Sequence, residues 1–473
     1  MATDPRGLRG DAPLLDAWLR FQERPPTPFT IPGHKHRIDL VGDVVLGDVP
    51  LYAGLDTMKL TGGVLARAEH RAARLWGADF CRFSTGGATH ANQAAALAVA
   101  GDGDEVVVSR TLHRSMLLGL VLAGLTPVWV HPEVDATTGL PLGVAPETVQ
   151  HALAEHPRAR AVLVGDPSYV GTVGDVAGLA EVAHSHGMPL VVDAAWAAHF
   201  GFHPDLPRHA LHLGADIVVT SAHKTLPAWS QAALILARTE RVDRGRLAAG
   251  VEATATTSPA GAVLASTDAA RALLERDGVE LLGAAMAATG AARDRLRGVD
   301  GLVVLDGPAV DPLKLTLLLP GTGADGNAVE QDLLAARLPV ESADRDVIVA
   351  VATMADTTAR LDALVTVLLE SIDRHRRDPR PVVGAAAYAA DPVLAMPPRR
   401  AFFAERETVR LAEAVGRASA ELVAPYPPGI PVLAPGEVIT AETVDLLDRA
   451  RATGVRIAYA DDPTLVTLTV VTG

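Results

Sequence analysis

The sequence predicts an α/β protein built on a doubly wound, mostly parallel sheet, followed by a smaller α/β domain and a C-terminal module. Short apolar runs alternate with helical stretches between residues 61 and 275, the pattern of strands joined by crossover helices. One of these runs ends in a carboxylate and another is followed closely by a lysine, so chemistry collects at strand ends. No run of about twenty apolar residues is free of charge, which argues against a spanning helix.

Taken in order, residues 1–60 read as an N-terminal arm, with a short helix near residues 13–22 and a proline-rich stretch from Arg24 to Pro32. The large domain, 61–275, holds strands expected at 105–109, 126–130, 159–164, 190–193, 217–220 and 232–237. A small α/β domain at 276–380 takes its strands from 302–305, 314–319 and 347–351. The Arg-, Asp- and Pro-rich stretch 374–381 reads as a linker to the C-terminal unit, 381–473.

Composition narrows the function. The chain has 473 residues, enough for two or three cores, and 49% of them are hydrophobic, ample for burial. Its single cysteine, Cys81, excludes an intramolecular disulfide and suits a reducing compartment, so a cytoplasmic enzyme is expected. A formal charge of -14 disfavours nucleic acid and suits a cationic small molecule.

Lys224 is one of four lysines in a chain that otherwise writes its basic charge as arginine. It follows the apolar run Ala215 to Thr220 within Ser221-Ala222-His223-Lys224-Thr225. A partly buried lysine at a strand end has a lowered pKa, and its free amine can attack a carbonyl. A solvated loop lysine is the plain alternative. Upstream, Leu190-Val191-Val192-Asp193 ends a second strand in a carboxylate. Enzymes that use pyridoxal 5'-phosphate (PLP) need such an acid against the pyridine nitrogen, although Asp is also a common turn residue. The third element, Ser84-Thr85-Gly86-Gly87-Ala88-Thr89 before an alanine-rich helix, is suited to a phosphate through backbone N–H groups and the Thr89 hydroxyl. Alone, such a turn is often no more than a cap. The three occur in the order a PLP domain requires.

With these elements in place the chain resembles the fold-type I Orn/Lys/Arg decarboxylases, the group III PLP-dependent amino-acid decarboxylases. The resemblance rests on Pro32-Gly33-His34-Lys35, Arg110 to Ser115, Asp166-Pro167-Ser168-Tyr169-Val170-Gly171, Ser221 to Pro227, Thr257-Ser258-Pro259 and the Pro425 to Pro431 stretch with Pro435-Gly436-Glu437. It implies PLP on Lys224, with Asp193 against the ring nitrogen, and His113 and Ala195 packing the two ring faces. Gly87, Ala88, Thr89, Ser168, Ser221 and His223 would complete the cofactor site, and no metal is implied. It also implies a homodimer, or a higher oligomer, in which Thr257 and Ser258 reach the neighbouring subunit's phosphate.

The resemblance has two departures. Leu51, Ala53, Thr57 and Lys59 stand where the family carries further acidic residues and a histidine, and Ala260-Gly261 replaces a tyrosine after Thr-Ser-Pro. The substrate end is therefore altered while the cofactor residues are complete. The reading favours decarboxylation of arginine, then lysine or ornithine, to a polyamine precursor. A different PLP reaction on an unusual amino acid, and a non-catalytic relative acting by association, are the competing readings.

Overall fold

The computed structural model describes all residues except 1–2, 25–26, 50–53, 56–62, 383–391, 427–430, 453–455 and 473. Its centre is a seven-stranded sheet formed by β1 (Phe80–Ser84), β2 (Glu105–Ser109), β3 (Thr126–Val130), β4 (Val162–Gly165), β5 (Leu190–Asp193), β6 (Ile217–Thr220) and β7 (Ala233–Ala237). The strands lie in the order β1-β7-β6-β5-β4-β2-β3. Pairing is parallel from β6 through β3, and β7 runs antiparallel to both its neighbours. The central strands β5 and β6 are buried along their whole length. That is why they read as unbroken apolar runs rather than as alternation.

The expected strand at 159–164 starts later, at Val162, and the one at 232–237 starts at Ala233. Strand β1 lies outside the stretches whose sequence predicts a strand. Its sequence, Phe80-Cys81-Arg82-Phe83-Ser84, carries a charge at its centre, and that side chain reaches an edge where Arg82 meets Glu69 at 3.3 Å.

The helix Gly261–Arg297 runs across residue 275 and joins the large unit to a four-stranded antiparallel sheet. That sheet contains β8 (Val303–Val304), β9 (Lys314–Leu318), β10 (Ser342–Ala343) and β11 (Val347–Val351), in the order β10-β11-β9-β8. Beyond it, β12 (Arg406–Arg410) pairs with β15 (Thr467–Val471), and β13 (Ala424–Tyr426) pairs with β14 (Arg456–Ala458). Arg110, just after β2, ties this last unit down. Its guanidinium forms two bonds to Glu437 and donates to the Pro431 carbonyl at 2.8 Å, with both charged groups buried. Among the described residues no helix is long and apolar enough to cross a membrane.

Candidate functional site

In an open parallel sheet, ligands bind beyond the carboxyl ends of the strands, where the strand order reverses. Here β2 is followed outward by β3 and the chain then returns to β4 on the other side. A cavity of about 510 Å³ opens at that end. It is lined by Gly87, Ala88 and Thr89 from the first turn after β1, by His113 from beyond β2, and by Ser168, Asp193, Ala195, Ser221, His223 and Lys224. Ten of the twelve residues expected at the site thus share one cavity.

Asp193 is buried at the end of β5, and its carboxylate accepts from Asn92 Nδ2 at 2.7 Å and from the Ala195 N–H at 3.2 Å. The same Asn92 amide donates to Ser115 Oγ at 2.9 Å. Ser115 Oγ lies 2.8 Å from His113 Nδ1, which also accepts from the Ser115 N–H at 3.2 Å. With Asn92 donating to it, the Ser115 hydroxyl has its own proton to give to Nδ1, so the ring proton of His113 belongs on Nε2. Burial pushes the His113 pKa down, with Asp193 opposing this and Lys224 adding to it.

Lys224 stands in a short helical turn, Ala222–Thr225, directly after β6. Burial lowers its pKa against the opposing pull of Asp193 and Glu341. A lysine in that condition offers a larger fraction of free amine near neutrality. Its Nζ sits 4.0 Å from the centroid of the Trp196 ring. His223 bonds the Ala232 carbonyl through Nδ1 at 2.8 Å.

At the phosphate-type end, the Gly87 N–H of the helix Gly87–Val99 donates to the Gln231 carbonyl at 2.9 Å and the His90 N–H to the Gly86 carbonyl at 3.3 Å, which leaves the Ala88 and Thr89 N–H groups as the open donors of the first turn. Gly87 has φ +69, and a Cβ on Gly86 would come within 2.8 Å of His90 Cβ, so the turn requires these glycines. Ser221 Oγ is buried and lacks a hydrogen-bond partner among the described residues. An orphaned hydroxyl beside open helix N–H groups suits an anionic oxygen ligand.

Thr257 and Ser258 are placed elsewhere. They are exposed in the turn before the helix Gly261–Arg297 and line a second, larger cavity of about 1030 Å³. The two cavities share Gly86 and Gln231. Leu51, Ala53, Thr57 and Lys59 lie outside the described residues, as does most of the Pro425 to Pro431 motif.

Three residues in or behind the cavity wall carried no sequence signal of their own. Asn92 sits in an alanine-rich helix, Glu341 precedes a two-residue strand, and Tyr459 reaches the cavity from the C-terminal unit. Glu341 Oε1 accepts from the Tyr169 hydroxyl at 3.2 Å. Only their convergence in space marks them.

Residues 12–306 match the major domain of the Orn/Lys/Arg decarboxylases, and residues 382–455 match their C-terminal domain. The chain belongs to the Orn/Lys/Arg decarboxylase family. It is 33% identical over 477 residues to an arginine decarboxylase of Halalkalibacterium halodurans, covering 97% of each chain. It is likewise 33% identical over 473 residues to an arginine decarboxylase of Bacillus subtilis, covering 96% of each. The lysine decarboxylase of Francisella novicida shares its fold, with a TM-score of 0.82 at 20% identity over 98% of this chain and 81% of that one. The expected family, the fold class and the assignment as an amino-acid decarboxylase are borne out.

Proposed function

We propose that this member of the Orn/Lys/Arg decarboxylase family is a PLP-dependent decarboxylase of a basic amino acid, with arginine favoured over lysine and ornithine. The observation that carries the reading is the meeting of Lys224, Asp193 and the Gly86–Gly87 turn in one cavity. The donor set fits the cofactor: an amine of lowered pKa, a buried carboxylate, and an unpartnered Ser221 hydroxyl beside helix N–H groups. Once bound, PLP supplies an electron sink for the pair released as the Cα–carboxylate bond breaks.

The protein's own groups supply the rest. Asp193, oriented by Asn92 and the Ala195 N–H, holds a proton at the ring nitrogen. Gly87, Ala88, Thr89, Ser221 and His223 hold the phosphate end, Ser168 lines the cofactor cavity, and His113 and Ala195 pack the ring. Lys224 provides the anchoring amine, and either Lys224 or His223 returns a proton to Cα. Glu341 is the carboxylate among the residues lining the cavity beyond Asp193, and it suits a cationic side-chain end. The arginine preference draws on the names of the relatives at 33% identity.

We further infer a cytoplasmic homodimer, or a higher oligomer built from it, in which Thr257 and Ser258 complete the phosphate site of the neighbouring subunit. Their exposure, and their position in a cavity adjoining the Gly86 turn, support that reading. The working division is an arm to residue 60, a PLP-binding unit to 275, a small unit to 380 and a C-terminal unit beyond, with the helix Gly261–Arg297 bridging the second and third. The test is incubation of purified protein with arginine, lysine or ornithine while CO2 and amine are measured. Stoichiometric CO2 and agmatine from arginine is the expected result, and no CO2 from any of the three contradicts the reading.

A further inference from the structure

A second lysine lies behind the cavity wall. Lys314 opens β9 and is 1% exposed, an unusual place for an amine. Its Nζ sits 3.4 Å from the centroid of the Trp196 ring and donates to the Tyr169 carbonyl at 3.2 Å. Trp196 is the same indole that carries the Lys224 amine at 4.0 Å. The Trp196 and Tyr169 rings meet edge to face, 5.5 Å apart at 83°, and both line the cavity. Two amines from different units therefore share one aromatic wall.

The surroundings hold Lys314 in that place. Gly171, at φ +96, lets the backbone pass so close that a Cβ there would lie 2.7 Å from Lys314 Cβ. The Asp311 N–H donates to the Gly171 carbonyl at 2.8 Å, and Thr316 Oγ1 donates to the Val170 carbonyl at 2.8 Å. Asp311 is itself paired with buried His199 at 3.2 Å, and Arg293 donates to the Lys314 carbonyl. The charged groups that act on the amine are Asp311, Glu341 and Lys224. The phenol of Tyr169 is turned to Glu341.

We propose that Lys314 is a positioning residue for Lys224: seated over Trp196 and bonded to the Tyr169 carbonyl, it fixes the wall against which the Lys224 amine lies and places a second positive charge beside it. A cation over an indole face is held by the ring quadrupole, more strongly when desolvated. The structural pin and the electrical effect are separable, because arginine keeps the charge permanently while methionine keeps bulk without charge. Burial, opposed by Asp311 and Glu341, brings the Lys314 pKa down to about 7, so its charge is only partial near neutrality. The proposal rests on Lys224 being the reactive amine, as set out above.

The experiment reads Lys224 directly and needs neither cofactor nor turnover. The full chain is freed of bound carbonyl compounds with hydroxylamine, reductively methylated across a pH series, and the extent of modification at Lys224 is followed by peptide mass spectrometry. With four lysines in the chain, the Lys224 peptide is readily isolated. Lys314→Arg is expected to move the Lys224 labelling midpoint down by about half a unit or more, through permanent like-charge repulsion. Lys314→Met is expected to leave the midpoint at or above the wild-type position. An unmoved midpoint in Lys314→Arg, or a shift of the same sign in both variants, overturns the proposal, since a merely structural disturbance has no reason to follow charge. If neither variant folds, Lys224→Ala decides by reciprocity: removing the Lys224 charge is expected to raise the Lys314 labelling midpoint, and an unmoved Lys314 midpoint overturns the proposal. Absence of decarboxylation with these shifts present would count against the proposed function and leave this inference standing.

Discussion

Asn92 joins Asp193 to His113: one amide nitrogen donates to the Asp193 carboxylate at 2.7 Å and to Ser115 Oγ at 2.9 Å, and that hydroxyl meets His113 Nδ1 at 2.8 Å. The carboxylate and the imidazole assigned to the cofactor are thereby held by a single relay. Asp193→Asn removes the charge while nearly keeping the shape. Turnover is expected to fall by two or more orders of magnitude, a few kcal/mol in the barrier, with cofactor still retained. Steady-state kinetics beside cofactor quantification checks this, and near-normal turnover would remove Asp193 from its role.

Arg110 and Glu437 predict how firmly the C-terminal unit is docked. Both are buried and bonded twice, so breaking the pair leaves an uncompensated charge. Arg110→Met should cost about 3–5 kcal/mol, and adding Glu437→Gln should recover part of it. Denaturant unfolding of the two variants, with limited proteolysis of residues 381–473, reads the effect.

Asp166 predicts a pH dependence of stability. Its carboxyl is buried, accepts the Gly174 N–H at 2.6 Å and no other donor among the described residues, and has its pKa pushed up to about 7 by desolvation. The folded chain then binds the proton more tightly than the unfolded one, so this group's contribution to stability falls as pH rises from about 4 to about 7. Asp166→Asn keeps the acceptor and removes the titration. Its advantage over wild type should be near zero at about pH 4 and reach about 2–4 kcal/mol above neutrality. Unfolding free energies at several pH values would show a widening gap, and a constant gap would contradict the assignment.

Much of this was legible in the sequence for a definite reason. Strands β5 and β6 are buried on both faces, so they appear as apolar runs, and the residues that follow them inherit the strand ends. Asp193, Lys224 and the Gly86–Gly87 turn could therefore be found from local pattern. Lys314 could not, because it opens a run that reads as an ordinary apolar strand, and its meaning comes from Trp196, more than a hundred residues away in sequence. Asn92 was hidden among alanines and Glu341 beside a two-residue strand. Strand β1 escaped because Arg82 interrupts its apolar character. Long-range convergence leaves no periodic trace.

The shared-site reading predicts complementation. Chains carrying Lys224→Ala and chains carrying Thr257→Ala with Ser258→Ala are each expected to be poorly active, and mixed dimers should regain about one good site built from the intact halves. Recovery on mixing, measured as activity against mixing ratio, is the expected outcome. No recovery, with a fully active monomer in sedimentation, would rule it out.

The central claim is that Lys224 carries the cofactor, and the most direct measurement is borohydride reduction of PLP-reconstituted protein followed by peptide mass spectrometry. A yellow protein whose visible band disappears on reduction, with the pyridoxyl mass added at Lys224 and absent from Lys224→Ala, is the predicted result. A protein that stays colourless with added PLP, or a label fixed at another lysine, would contradict it.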